Sequence, residues 1–497
     1  MTAALPLTAV LAAALQVAAP AAATPEGVAA PDVVLSGSIE GKDHQTYREA
    51  PFAVPPGVSR ITVRFEYDKS HHTVIDLGLL DPARFRGWSG GSKSLFTLSP
   101  ADATPSYLAG PIIPGRWRLL MGVPNARPGS ASHYKASIWF DRGDGHAATD
   151  AAAPPPLRTV EGWYRGDLHM HGAHSDGSCL SQSGTRVPCP TFRTVEKAAA
   201  AGLDFIALTD HNTVAQMQDI RELQPWFDRL LLIPATEITT FHGHMQAIGL
   251  RRFVDFRLGT KAVPDMHALA SDATRAGAIL SLNHPSLPSG EICMGCGWTA
   301  PNTNYDEIQA IEAVNGDRSD GPLSGIPFWY ARLNEGHRLT GIGGSDNHDP
   351  DARNGQPPIG HPTTVVHARA LSQAAILDGI RSGNVFIDVE GKPGRLLEVE
   401  AQSEDTSSQP MGGTVALRGK PLTLIAHIAG VTEGTVEVVH RGQVVPNTAL
   451  SLGGPDYHAR FTLTSDQACG WVAINVRDPK GAPLLIGNPV YVNCPAR

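Results

Sequence analysis

The sequence predicts a central region of parallel βα units set between two β-rich regions. Three observations carry this. From about residue 25 to 155 apolar and polar residues alternate over short runs. From about 158 to 390 short apolar runs alternate with helix-like segments closed by glycine. From about 395 to 497 the period-two alternation returns. Alternation marks half-buried strands, whereas helix–glycine–strand repetition marks parallel units with helices on the sheet faces.

The first 23 residues carry no charged side chain and end in Ala18-Ala19-Pro20-Ala21-Ala22-Ala23. This reads as a signal-peptide apolar core with a small-residue cleavage site near Ala23, although the usual basic start is missing. Pro6 and Pro20 interrupt it, and it is short for a membrane span. Residues 25–155 hold runs such as Ile61-Thr62-Val63-Arg64-Phe65-Glu66-Tyr67 and Tyr134-Lys135-Ala136-Ser137-Ile138-Trp139-Phe140. Gly87-Trp88-Ser89-Gly90-Gly91 reads as a turn between strands, and Pro114-Gly115 as a turn feeding the strand from Arg116. An antiparallel β-sandwich is expected there. The stretch from Ala147 to Pro156 lacks large apolar residues and ends in three prolines, so it is a linker.

In 158–390, Thr191 to Ala201 is expected to be helical, Gly202 stops it, and Phe205-Ile206-Ala207-Leu208 begins a strand. Ala262 to Ala276, Gly277 and Ala278-Ile279-Leu280-Ser281-Leu282 repeat that order. In 395–497, Val436-Glu437-Val438-Val439 and Trp471-Val472-Ala473-Ile474-Asn475-Val476 predict a second β-sandwich.

A chain of 497 residues with 42% hydrophobic and 18% charged residues can bury several cores. Its net charge of −8 gives no general attraction to nucleic acid or anionic membrane. The six cysteines fall in three local pairs: Cys179 with Cys189, Cys293 with Cys296, and Cys469 with Cys494. Disulfides and an exported, periplasmic or extracellular, location are expected. Cys293-Met294-Gly295-Cys296 is also half of a zinc knuckle, but no second CxxC completes a four-thiolate site.

The chemistry gathers in the middle region, which holds twelve of the 20 histidines. In Asp167-Leu168-His169-Met170-His171, the i, i+2 spacing puts both imidazoles on one face of an extended chain. Other apolar runs end in metal-ligand types: Asp210-His211, Glu237, Asn283-His284-Pro285, and Ser345-Asp346-Asn347-His348. Each alone reads equally as a polar strand cap. Together, delivered to the C-terminal rim of parallel strands, they describe a metal cluster.

This series, with Ser175-Asp176-Gly177 and Gly243-His244, resembles the polymerase-and-histidinol-phosphatase (PHP) metallohydrolase family over about Glu161 to Val389. The multi-domain layout is similar to the branch grouped with carbaryl-type carbamate hydrolases. The resemblance implies a distorted (β/α)7 barrel holding two or three divalent ions, zinc, manganese or iron. Carried over by position, it implies His169, His171, Glu237 and Asp346 on a first metal. Glu237 bridges to a second metal held by His244 and His284, and Asp176, His211 and His348 hold a third. His242 is the alternative to His244, and Asp210 is expected to orient a ligand.

Such ions acidify a shared water and neutralise charge developing on substrate oxygens. The expected function is hydrolysis of a small-molecule phosphoester by a metal-bridged hydroxide. A carbamate, ester or amide hydrolase with the same centre is the alternative, and a non-catalytic surface binding protein is the third reading. His174, His361 and Arg353 are candidates to orient substrate or protonate a leaving group. No GxxxxGK[ST] loop or HExxH helix occurs.

Overall fold

The computed structural model describes residues 30–142 and 155–495, except 251, 290–292, 294, 354, 405 and 465–467. The expected signal peptide and most of the expected linker lie outside the described residues.

In the N-terminal region two four-stranded antiparallel sheets face each other. One orders the strands Val33–Glu40, Ala131–Arg142, Val58–Tyr67 and Leu95–Leu98. The other orders Thr46–Val54, Gly115–Asn125, Val74–Leu80 and Phe85–Gly90. Alternation does the work: Ile61 opposes Phe140, Val63 opposes Ile138 and Phe65 opposes Ala136, all buried in one core with Trp117, Leu119 and Met121. The Gly87–Gly91 run is mostly strand rather than turn, because Phe85–Gly90 pairs, with register shifts, to Val74–Leu80. Gly78 and Gly122 leave room there for the Trp88 ring, which a Cβ at either position would strike at 2.6 Å. This region docks on the helix Gln216–Leu223. The Ala103 amide donates to Gln218 Oε1 (2.9 Å), and Asp102 pairs with both Arg60 (2.8 Å) and Arg221.

The central sheet runs in the order Thr340–Gly344, Ala310–Asn315, Ile279–Leu282, Gly243–Ile248, Leu231–Thr240, Phe205–Leu208, Gly162–Asp167, Thr363–Ala368 and Val385–Asp388. The expected parallel pairing holds within two blocks: Gly162–Asp167 with Phe205–Leu208 and Leu231–Thr240, and Ile279–Leu282 with Ala310–Asn315 and Thr340–Gly344. The protein is thus mixed α/β, with many strands and few helices. The regular alternation and closure of a (β/α)7 barrel are not what this ladder makes. A hairpin, Leu231–Thr240 and Gly243–Ile248, inserts an antiparallel strand, and Thr363–Ala368 is antiparallel to both its neighbours. Among the described residues no backbone ladder joins the Thr340–Gly344 edge to the other end. A side chain links them instead: Thr364 Oγ1 accepts from the Gly343 amide (2.8 Å) and donates to its carbonyl (2.7 Å).

The helix expected from Ala262 is shorter, Met266–Arg275. Pro264 and Asp265 set its start, with the Asp265 side chain accepting from the Ala268 amide (2.8 Å). No described helix is long and apolar enough to cross a membrane.

The C-terminal region continues the central sheet. Val385–Asp388 pairs antiparallel with Pro483–Gly487, which pairs with Gly470–Arg477 and on to Thr435–His440. A four-stranded sheet containing Leu396–Gln402, Leu422–Ala429 and Asp456–Leu463 faces it across a core of Leu397, Leu424, Ile428, Ile474 and Leu485.

All three cysteine pairs are bonded, with Cα separations of 4.9 Å for Cys179–Cys189, 5.6 Å for Cys293–Cys296 and 4.5 Å for Cys469–Cys494. The last pair closes the largest loop, 25 residues in separation. Changing both Cys469 and Cys494 to serine is expected to lower stability by about 3 kcal/mol, from the entropy returned to the unfolded chain. Urea unfolding checks this, and a midpoint unchanged from the wild type would contradict it.

Candidate metal centre

Asp167 organises the rim. It is fully buried and accepts amide hydrogens from His169 (3.1 Å), Ser345 (3.0 Å) and Gly360 (2.8 Å), so one carboxylate holds together the ends of three segments. Burial pushes its pKa up, against those hydrogen bonds. Two donor residues sit in left-handed backbone, His284 at φ 27° and Asp346 at φ 53°. Non-glycine residues hold such angles where the surroundings over-determine them. Gly344 has no substitute: a Cβ there would strike the His169 Cβ and come within 2.7 Å of Glu312 Oε1.

The nine side chains that the sequence offered as ligands come together around Glu237. Its Oε2 lies 3.3 Å from His169 Nε2, 3.4 Å from His171 Nε2 and 3.1 Å from His211 Nδ1. Its Oε1 lies 3.2 Å from both His244 Nδ1 and His284 Nε2. Asp346 Oδ1 is 3.3 Å from His169 Nε2 and 3.2 Å from His171 Nε2. Asp176 Oδ1 is 3.3 Å from His348 Nε2 and 3.7 Å from His211 Nε2, at the exposed side of the cluster. His171 faces both subsets, since its Nδ1 is 3.9 Å from Asp176.

These residues fit divalent cations. His169 Nε2, His171 Nε2 and both ring nitrogens of His244 are buried and have no hydrogen-bond partner among the described residues. They converge on carboxylate oxygens at 3.2–3.4 Å without bonding geometry, which is an arrangement a cation satisfies and hydrogen bonds do not. Three subsets of donor atoms lie close enough together to share an ion: His169, His171 and Asp346; His169, Glu237 and His284; and His171, Asp176, His211 and His348. A fourth, His244 and His284 with the disulfide-bonded Cys296, was not foreseen.

Without metal the cluster balances charge internally. Burial alone would lower the His169 pKa, but the carboxylates of Asp346, Glu312 and Glu237 outweigh it and hold it well above the usual value. His348 is likewise pushed up to about 9, because Asp176 and Asp346 outweigh its burial. Burial would raise Glu237 and Asp346, yet the facing imidazoles, His169 first, hold both well below the carboxylate range. The raised histidines contribute stability that is complete below the unfolded histidine value of about 6.5 and lost as pH rises through their folded values. The lowered carboxylates contribute stability above about 4 that is lost toward acid. Chelator-treated protein is therefore expected to melt at a lower temperature at pH 9 than at pH 6. Metal-loaded protein should lose less, because metal replaces the protons. Differential scanning calorimetry at both pH values decides it, and equal losses with and without metal would count against the cluster.

A layer of partners orients the donors. Glu312 accepts the His169 Nδ1 hydrogen (2.8 Å), the His284 amide (2.8 Å) and the Asn315 amide group (3.1 Å). Asn283 Nδ2 donates to Glu237 Oε1 (2.8 Å), Asn315 Nδ2 to Asp346 Oδ2 (3.2 Å), and His211 Nδ1 lies 2.6 Å from Thr239 Oγ1. Asp210 accepts from the Gly172 amide (2.9 Å) and Ser175 Oγ (2.8 Å), so it fixes the loop after His171. Sequence reasoning missed Glu312, though a signal existed: it is the one charge in the buried strand Ala310–Asn315.

The other candidates lie apart from this convergence. His242 is exposed, whereas His244 is buried in the cluster. His174 Nε2 bonds Asp219 Oδ2 (2.8 Å), a carboxylate shared with Thr191 Oγ1 (2.5 Å). His361 is half-buried in the turn before Pro362, with its amide donating to the Pro358 carbonyl (3.0 Å). Arg353 is spent on Asp351 (2.7 Å) and Asp349 (3.4 Å). Arg318, which the sequence did not single out, donates to Asn315 Oδ1 and so sits one residue away from Asp346.

No family model matches the chain, and no curated protein matches it. Among solved structures it is similar to a two-domain protein from Bacteroides vulgatus that contains a predicted PHP-like metal-dependent phosphoesterase. The identity is 21%, over 68% of this chain and 97% of that one, with a TM-score of 0.38.

Proposed function

We propose that the chain is an exported metal-dependent hydrolase of the PHP type, acting on a small-molecule phosphoester. One observation carries this reading: five imidazoles converge on Glu237, with Asp346, Asp176 and His348 completing the cluster and buried ring nitrogens left unpartnered. His169, His171, Glu237 and Asp346 are the first set of ligands, His244 and His284 join Glu237 in the second, and Asp176, His211 and His348 form the third. Two or three divalent ions held there would supply Lewis acidity, lowering the pKa of water and offsetting charge on the substrate.

The residues of the chain do the rest. Glu312 takes the Nδ1 hydrogen of His169, which fixes the neutral tautomer and frees Nε2 as a donor atom. Asn283 and Asn315 steady the Glu237 and Asp346 carboxylates. Arg318, held through Asn315, supplies positive charge suited to an anionic ester and favours phosphate over a neutral carbamate. His174, tied to Asp219, and His361 are the proton donors for a leaving group in this reading. Arg353 braces the segment after His348 through Asp349 and Asp351.

The test is a panel of aryl phosphate, aryl phosphodiester and aryl carbamate with protein loaded with manganese, iron or zinc. Phosphoester cleavage that disappears with chelator and in His169→Ala is expected. Cleavage of the carbamate alone would move the function to the carbamate-hydrolase reading. Full activity in chelator would defeat both.

A further inference from the structure

A second group of histidines and carboxylates lies far from the rim in sequence, on the outer face of the C-terminal four-stranded sheet. Glu398, His427 and His458 sit directly opposite one another on three neighbouring antiparallel strands, Leu396–Gln402, Leu422–Ala429 and Asp456–Leu463. The alternation that sends Leu397, Ala426, Ile428, Ala459 and Phe461 into the core forces this row outward. Asp456 precedes His458 by two and shares its face.

We infer that His427, His458 and Asp456, with Glu398, form a surface site for a divalent transition-metal ion, separate from the rim cluster. His427 Nε2 lies 2.8 Å from Asp456 Oδ1, and its Nδ1 lies 3.3 Å from Glu398 Oε2. The His427 and His458 rings stack face to face, 4.4 Å apart and 5° from parallel. One donor atom from each of His427, Asp456 and His458 falls within 4.8 Å of the others. No hydrogen bond among the described residues occupies a ring nitrogen of His458. Glu398 is held in place, because Trp163 Nε1 donates to its Oε1 (2.7 Å).

Two stacked imidazoles repel when both are protonated, whereas one cation accepts both as neutral donors. Two nitrogens and carboxylate oxygens suit zinc, copper or nickel, and not the all-oxygen preference of calcium or magnesium. The ion would add a metal link to three strands already joined by backbone bonds and by the His427 contacts with Glu398 and Asp456, and binding only the folded form would stabilise it. Asp456 is 72% exposed, so an exchangeable ion is expected rather than a buried structural one.

The full chain would be equilibrated with zinc and its metal content measured for wild type, Glu237→Gln and the double variant His427→Ala/His458→Ala. The double variant should carry one zinc fewer per chain while keeping the rim metals, and Glu237→Gln should lose rim metal but keep this ion. Copper(II) added to Glu237→Gln should give an electron paramagnetic resonance spectrum with two nitrogen ligands, reduced to one by His458→Gln. Equal zinc content in wild type and double variant, or a copper spectrum unmoved by His458→Gln, overturns the site. Loss of rim metal in Glu237→Gln bears on the function proposed above and leaves this site standing.

Discussion

Replacing Glu237 with glutamine is expected to remove hydrolytic activity and most of the rim metal together. Five imidazole nitrogens lie within 3.1–3.4 Å of its two oxygens. Glutamine keeps the shape but removes the charge, and it turns one oxygen into an N–H group pointing at nitrogens meant to donate to a cation. Losing a residue that merely orients a ligand costs about 10–100-fold in metal affinity or activity. The carboxylate shared between subsets must cost more, on the order of 1,000-fold in kcat/KM. The metal-free protein should also suffer, since Glu237 balances the raised His169 in a buried setting. Breaking such a pair costs roughly 3–5 kcal/mol. Metal content, kcat/KM and a urea midpoint measured on the same preparation test all three parts. Wild-type metal content and activity in the variant would refute the hub role.

Glu312→Gln is expected to lower zinc or manganese affinity by about 10–100-fold with the fold intact. The residue touches no substrate in this reading. It acts by holding His169 through Nδ1 and His284 through its amide. Glutamine can still accept the His169 hydrogen through its oxygen, so Glu312→Gln should be milder than Glu312→Ala, which leaves both donors unanswered in a buried site. The deficit relative to wild type should widen with rising pH, because His169 in the variant loses a carboxylate that favoured its protonated form and so has less proton competition left to shed. Isothermal titration across pH separates this from simple misfolding. Equal affinities for wild type and both variants would show that Glu312 only packs the core.

How much of this was legible in sequence differs by element. The outer strands were, because Ile61, Val63 and Phe65 repeat every second residue and only a sheet uses that period. Several of the rim residues were too, because His211, His284 and Asp346 follow apolar runs, whereas Asp176 and His244 were reached only through the family resemblance. The hairpin Leu231–Thr240 to Gly243–Ile248 was hidden. Its turn is two residues, Phe241 and His242, without the Asn-Gly or Asp-Gly pattern that marks tight hairpins. The apolar run was therefore expected to end at Glu237, and the sheet to be a more regular barrel than the chain makes. Glu312 was hidden by its isolation, since one carboxylate in an apolar strand has no local partner to give it meaning. Cys296 beside His244 and His284 depends on a loop returning to the rim, which no periodicity records.

The pairing of Val385–Asp388 with Pro483–Gly487 has a consequence for how the chain must be made. Phe386 finds its partner Gly487 only after about a hundred further residues have been synthesised. Until then the central sheet ends in an apolar edge, Val385-Phe386-Ile387, with backbone groups open to any passing strand. Protein cut after residue 390 would keep every rim donor yet carry that edge permanently, and it would be prone to aggregate during expression. The strand Pro483–Gly487 thus acts as the cover of the sheet that bears the rim cluster, and soluble production depends on residues more than 130 positions beyond the last donor, His348.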